Sequence, residues 1–385
     1  MSHIIEFSVE GLAGRTDTYS ERLNRHVNVF FGENGSGKTS LLKILHCALS
    51  GNAESLESVP FKSARVKFYS VHEKRAFVRT IRKTAKDPVE LTRSYSALTI
   101  TQYRQLRLFR EEGNTSGWKI RPKPKSRSSS WMHRYLPISR LYSGTTGPAT
   151  SVGGNRQLSE EVLDLRFAQA MEALWTSYSA DISKKVREVQ QKGLANVLYA
   201  VLSKAKSGRH LRAADAGSAY SRVSAFLSRQ SGSRRALGSE REFAKRYNAD
   251  AQLRRVVRDI EDVERSIEVA SAPRDELRDL IHDMFRRDKA LTFTDKTIEV
   301  AVGGTKIGLP HLSSGEKQLL LLCVETLTAD ENSIIIDEPE ISMHIDWQKR
   351  LVGSLRKLNP ECQMIIATHS PEIMAALPDS QIFRI

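Results

Sequence analysis

One eight-residue stretch, Gly32-Glu33-Asn34-Gly35-Ser36-Gly37-Lys38-Thr39, constrains the fold more than any other part of this 385-residue chain. A β-rich run, Val27-Asn28-Val29-Phe30-Phe31, leads into it, and residues 39–49 read as a helix. Strand, glycine loop and helix form the context in which a G-x-x-x-x-G-K-T spacing cradles phosphate. The glycines let backbone N–H groups converge on an anion with no Cβ in the way. The helix start turns its positive end toward the same point. Gly32, Asn34, Gly35, Ser36, Gly37, Lys38, Thr39 and Ser40 are therefore expected to hold a nucleotide. Lys38 would reach the β- and γ-phosphates as a catalytic cation, and Thr39 would offer its hydroxyl to Mg²⁺.

Three more motifs follow in order near the other end of the chain. Leu312-Ser313-Ser314-Gly315-Glu316-Lys317-Gln318 opens a long apolar helix. Ser313 and the N–H groups of Ser314 and Gly315 make a second anion-binding helix start. The bland reading is an N-cap with Ser and Glu in capping-box spacing. Since the chain already has one phosphate loop, a second cradle has a use if it caps the γ-phosphate on a partner subunit. Next, Ile334-Ile335-Ile336-Asp337-Glu338-Pro339-Glu340 places two carboxylates at the end of an apolar strand, where α/β folds bind ligands. Asp337 suits a Mg²⁺ ligand acting through water, and Glu338 suits a general base for the attacking water. Last, Ala367-Thr368-His369-Ser370-Pro371 puts His369 at the end of a further strand, as a sensor of the γ-phosphate. His344 and Arg15 are weaker candidates, for communication between sites and for nucleotide contact. A glutamine linking the site to the rest of the chain could be Gln102 or Gln105; neither has a distinctive context.

Periodicity divides the chain into three parts. Residues 1–150 read as an N-terminal lobe with the phosphate loop and a basic β region. Within it, residues 64–69 and 76–81 form a hairpin, residues 121–130 form a basic, proline-bearing mobile loop, residues 136–141 return to the core sheet, and residues 144–155 look like a hinge. Residues 151–290 read as an inserted helical arm, with helical stretches at 158–178, 182–205 and 251–287. Its middle, 207–239, is rich in Ser, Gly and Arg and reads as a poor core former. Residues 291–385 form a C-terminal lobe. There, β pattern resumes at 291–293 and 298–302, strands run at 333–336 and 364–367, and a last one is hinted at 382–383.

Composition narrows the partners. The net charge is +14, and residues 60–140 hold 20 lysines and arginines against five acidic residues. A field concentrated in this way favours an anionic partner, nucleic acid or an acidic protein surface, over a merely hydrated face. No run of about 18 apolar residues occurs, and the start reads as a strand, not a signal segment. A membrane partner is not expected, and a cytoplasmic location is. Cys47, Cys323 and Cys362 are far apart in apolar segments and read as packed thiols.

With these residues in view, the chain resembles the ABC-type ATPases of the OLD, RecF and SMC group. The phosphate loop, Leu-Ser-Ser-Gly-Glu-Lys-Gln, Ile-Asp-Glu-Pro-Glu and Ala-Thr-His-Ser-Pro look most like the OLD-like branch found in bacterial antiviral systems. The likeness covers roughly residues 1–60 and 291–385. It implies an α/β P-loop head: a mixed core sheet flanked by helices, with an antiparallel subdomain and, here, an inserted arm. It also implies ATP and Mg²⁺ as cofactors, and a homodimer of heads or a higher homo-oligomer. OLD nucleases carry a nuclease domain after the ATPase, whereas 16 residues follow His369 here. The resemblance then implies a separate effector protein, expected to be a nuclease, as in Septu- and PARIS-type defence. The alternative expectation is a RecF-like repair or replication ATPase that clamps DNA through the basic region.

Overall fold

A computed structural model describes residues 2–83, 117–125, 131–137, 159–202, 215–231, 238–285 and 289–385. The chain divides into two compact units. One comprises Met1–Leu174, Asp279–Phe293 and Ile298–Ile385, and the other Trp175–Arg278 with Thr294–Thr297.

The first unit is built on a parallel sheet of five strands. From one edge to the other run β13 (Ile382–Arg384), β3 (Val27–Phe31), β12 (Gln363–Thr368), β11 (Ser333–Asp337) and β7 (His133–Leu136). Every residue of β11 and β12 is buried. Central parallel strands are covered on both faces, so Ile334-Ile335-Ile336 and Met364-Ile365-Ile366 are continuous apolar runs with no polar alternation. Helix α1 (Lys38–Ser50) follows β3 and packs on this sheet. Gly51 ends it in a left-handed conformation, its N–H donating to the Cys47 carbonyl.

A second sheet is antiparallel, in the order β2 (Thr18–Arg22), β1 (His3–Glu10), β4 (Ser63–Ser70), β5 (Arg75–Arg82) and β6 (Lys119–Arg121). Here the residues do alternate. Ile4, Phe7, Val9, Val66, Phe68 and Phe77 are buried in one core with Leu41 and Leu45 of α1 and with Ile335 and Ile365 of the parallel sheet. Two buried polar side chains join these layers. The Gln363 amide accepts from Ile4 N–H and donates to the Ile4 carbonyl, both at 2.8 Å. Arg79, turned inward from β5, donates to the carbonyls of Ala48 and Leu49 at the end of α1 and lies 4.6 Å from the Trp131 ring centroid. A short antiparallel sheet of β8 (Lys289–Phe293), β9 (Ile298–Val302) and β10 (Thr305–Lys306) precedes helix α6 (Ser314–Leu327). Helix α7 (Ile345–Leu358) connects β11 to β12. This is a mixed α/β architecture in which a phosphate-type glycine loop joins a central parallel strand to the first helix.

The second unit is helical. The stretches expected at 158–178 and 182–205 are one helix, α2 (Glu160–Leu202). Helix α5 (Ala251–Met284) falls close to the expected span. The reading of 207–239 as a poor core former is corrected for its described part: α3 (Ala216–Ser231) buries Ala219 and Val223 against Phe243 and Tyr247 of α4 (Glu240–Ala249) and Val257 and Ile260 of α5, while 207–214 and 232–237 lie outside the described residues. The buried pair at i and i+4 is a genuine helix stripe, diluted by serine and arginine on the other faces.

Two other readings shift. The return to the core sheet is made by His133–Leu136, pairing with Ser333–Ile336, while residues 138–141 lie outside the described residues. Of the expected 121–130 loop, Arg121 belongs to strand β6 paired with β5, and 126–130 lie outside the described residues. So do the expected 144–155 hinge and both Gln102 and Gln105. Cys47, Cys323 and Cys362 are buried free thiols, each pushed up to about 12 by burial.

Candidate active site

The β3–α1 loop forms the floor of a cleft of about 500 Å³. Asn34, Gly35, Gly37, Lys38, Thr39 and Ser40 line it, with Glu338 and His369 from the ends of β11 and β12. Parallel β3, β12 and β11 are neighbours, so their carboxyl ends deliver loop, histidine and carboxylates to one place. The glycines meet real constraints. Gly35 and Gly37 have φ of 84° and 104°. A Cβ on Gly32 would lie 2.7 Å from the Ile385 carbonyl oxygen and 2.8 Å from Ser36 Oγ.

Lys38 is 5% exposed, and its Nζ donates to the carbonyls of Gly32 (2.8 Å) and Glu33 (3.1 Å). It also stands 3.5 Å from Glu338 Oε1. Thr39 Oγ1 donates to Asp337 Oδ1 at 3.2 Å, while Asp337 Oδ2 is buried without a hydrogen-bond partner. Burial, opposed by the Thr39 hydrogen bond, pushes the Asp337 carboxyl up to about 6. A buried carboxylate with one unsatisfied oxygen beside a threonine hydroxyl is a donor set that suits a hydrated divalent cation. Ser36 Oγ is likewise buried and unpartnered next to Gly32. These orphaned atoms, and a cradle that a Cβ would fill, fit a phosphate chain with its metal.

Glu338 adopts φ 49° while its N–H donates to the Ala367 carbonyl at 2.8 Å. Left-handed backbone is uncommon outside glycine and clusters at functional sites. Here the turn away from strand direction leaves the carboxylate on the cleft wall. Its Oε2 is hydrogen-bonded to His369 Nδ1. A carboxylate held between a lysine and a histidine, facing a phosphate cradle, is poised to take a proton from water.

Glu340, to which the sequence assigns no role, is a further candidate. It is 6% exposed. Its Oε1 accepts from Thr368 Oγ1 (2.5 Å), His369 N–H (2.8 Å) and Ser370 N–H (3.1 Å), and lies 3.2 Å from His369 Nδ1. Burial, then a hydrogen bond with Glu338, raises its carboxyl above the usual range. Glu338, Glu340 and His369 could converge on a cation, since their ligand atoms lie within 4.8 Å of one another. Glu340 Oε1 accepts three donors, two of them the backbone N–H groups of His369 and Ser370, an arrangement that can position the His369 backbone. Ala13, Pro60 and Ile341 also line the cleft. Nothing in their residue types announces that position.

Ser313, Ser314 and Gly315 are not among the residues lining this cleft. Ser313 caps α6 by accepting from Glu316 N–H, and Glu316 Oε2 accepts from Ser313 N–H at 2.7 Å. The capping box expected as the bland reading is thus present. Glu316 is held in turn by Lys289 at 2.8 Å, and Gln318 donates to the Pro339 carbonyl at 2.9 Å. A Cβ on Gly315 would lie 2.2 Å from the Ser342 carbonyl oxygen, so the helix start is seated directly on the loop after β11. His344 is exposed and caps α7, accepting from Asp346 N–H at 3.3 Å. Arg15 is exposed and does not line the cleft.

The family described as "AAA domain, putative AbiEii toxin, Type IV TA system" matches residues 27–375. The chain belongs to this family. It is also similar to the "Retron Vc95 probable ATPase" of Vibrio cholerae serotype O1 biovar El Tor, 29% identical over 96 residues, which is 22% of this chain and 19% of that protein. A "Probable metal transport system ATP-binding protein" of Chlamydia pneumoniae is 37% identical over 59 residues, 15% of this chain and 24% of the relative. The chain thus spans less than a quarter of these curated relatives. Among solved structures, the Smc head domain with an extended coiled coil, bound to the C-terminal domain of ScpA from Pyrococcus furiosus, is 13% identical. That match covers 97% of this chain and 92% of that one, with a TM-score of 0.43. An SmcHead bound to the C-winged helix domain of ScpA gives 11% and 0.45 over the same shares. Among the described residues, no helix is long and apolar enough to cross a membrane.

Proposed function

We propose that this protein is an ATP hydrolase whose catalytic centre is completed by a second copy, and that it serves an antiphage defence system by controlling a separate effector, a nuclease in our reading. The observation that carries the catalytic half is the Glu338 carboxylate, set between Lys38 and His369 on the wall of the phosphate-loop cleft. Thr39 and Asp337 would hold Mg²⁺, which screens phosphate charge and orients the γ-phosphate when bound. Glu338 accepts the proton of the attacking water. His369, aimed by Glu340, senses the γ-phosphate. Lys38 leaves its loop carbonyls for the phosphates. Ser313, Ser314 and Gly315 supply the cap to the partner's nucleotide, a role supported by their absence from their own chain's cleft.

The defence half rests on the family's description and on the similarity to a retron ATPase. Each half has its own test. Glu338→Gln should bind ATP normally and hydrolyse it about 10²–10⁴-fold more slowly. Lys38→Ala, in cells carrying the chain with its neighbouring genes, should lose protection against phage. Normal hydrolysis by Glu338→Gln would sink the base assignment. Full protection with Lys38→Ala would sink the defence reading.

A further inference from the structure

The antiparallel sheet has two faces of opposite character. One buries Ile4, Phe7, Val9, Val66, Phe68 and Phe77. On the other, strand registry assembles three rows. Arg22, Glu6, Lys67, Val78 and Arg121 lie side by side across the five strands. Ser20, Ser8, Arg65, Thr80 and Lys119 form the next row, and Thr18, Glu10, Ser63 and Arg82 the third. Arg22, Arg65, Arg82, Lys119 and Arg121 are all exposed.

Several cations of the basic stretch are used internally. Arg79 is buried on α1, Arg75 pairs with Glu73, and Lys83 donates to the Glu57 and Val59 carbonyls. On the outer face Lys67 pairs with Glu6 at 3.3 Å, and Glu10 accepts from Ser63. Among the described residues, no carboxylate pairs with Arg22, Arg65, Arg82, Lys119 or Arg121. Arg22 lies outside the basic stretch of the sequence and joins the others through strand pairing alone.

We propose that this face docks double-stranded DNA, gripped through its phosphates by Arg22, Arg65, Arg82, Lys119 and Arg121. The rows span about 19 Å at roughly 4.8 Å per strand, which matches about six base pairs of duplex. Serine and threonine hydroxyls stand between the cations, the donor set that contacts phosphate and sugar. Protein interfaces are enriched in aromatic anchors at their centre, and the rows hold no aromatic ring. Single strands need rings for base stacking; the nearest, His3 and Tyr69, are half-buried and face each other at 5.6 Å. A-form RNA is held largely through 2′-hydroxyls across its minor groove, whereas the five cations here are suited to phosphates. Binding is therefore independent of sequence. It is also separate from the nucleotide cleft and does not rest on the hydrolysis proposed above.

The test is binding of a short fluorescent DNA duplex to the whole protein across a salt series. The slope of log K against log salt should lie near −4.5, at about −0.9 for each of the five phosphate contacts. Arg65→Gln with Arg82→Gln should reduce its magnitude by about two. Lys184→Gln with Arg187→Gln, an equal charge loss on exposed positions of α2, should leave it unchanged. If the first pair lowers the thermal midpoint, Lys119→Gln with Arg121→Gln on β6 serves in its place. No DNA binding at low salt would overturn the proposal. So would an equal loss in the α2 control, or tighter binding of an RNA duplex of the same length.

Discussion

Glu340 ties the loop after β11 to the loop after β12 through a single oxygen atom. Its amide analogue keeps a carbonyl acceptor for those donors, so Glu340→Gln should hydrolyse ATP within several-fold of the parent. Glu340→Ala removes the acceptor, leaves the His369 N–H and the Thr368 hydroxyl without their partner and lets His369 wander. Its kcat should fall by at least tenfold with little change in KM for ATP. Steady-state kinetics on both variants decide the matter: similar rates would mean that the acceptor does not aim His369. Asp337 makes a prediction of another kind. Its folded carboxyl sits near 6, above the ordinary 3.8, because of burial. A raised folded value means that its contribution to stability is full below the unfolded value and is lost as pH rises through about 6. In metal-free protein, Asp337→Asn should therefore remove that part of the decline and add about 1–3 kcal/mol at pH 7.5, while abolishing hydrolysis. Denaturant melts at pH 4 and pH 7.5 with chelator present would show it, and an equal change at both pH values would refute it. These residues differ in how far the sequence revealed them. Asp337 and Glu338 stand out as charges ending an apolar run. Glu340 is visible in the same motif, but its partners come from β12, which no local pattern links to it.

At the scale of elements, Gln363 is the join between the two sheets. Its amide serves both backbone groups of Ile4 and also donates to the Asn24 carbonyl at 2.9 Å. Gln363→Leu fills the space yet leaves these groups unsatisfied, at a cost of about 2–4 kcal/mol. Chemical denaturation should show a lower midpoint with an unchanged m-value, and a loss under 1 kcal/mol would deny the join its importance. Strands β11 and β12 were legible because full burial leaves an unbroken apolar run, and α1 because it follows a phosphate loop. Strand β2 was not, since Thr18-Tyr19-Ser20-Glu21-Arg22 is an edge strand with little apolar content. Helix α3 was obscured in the same way by its serines and arginines.

At the scale of the molecule, the proposed site would draw its γ-phosphate cap from a second copy. If Ser313 and Gly315 act across a homodimer, hydrolysis per head must rise with protein concentration and level off once dimers dominate. Rates measured over a dilution series should show this rise. A constant rate at all dilutions, with dimers absent by light scattering, would put the whole reaction in one chain. The basic stretch showed in the sequence as charge, but strand registry decided which cations share a face and which are spent inside.

Strand β5 carries Thr80 and Arg82 on the outer basic face and Arg79 on the inner one, where the guanidinium holds the far end of α1. The near end of that helix is Lys38. One strand thus connects the charged surface to the phosphate loop through a single lever of hydrogen-bonded backbone. Any displacement of β5 by a bound polyanion has to be shared with α1. Linkage makes the exchange symmetrical: whatever factor the polyanion imposes on nucleotide affinity, the nucleotide imposes on the polyanion.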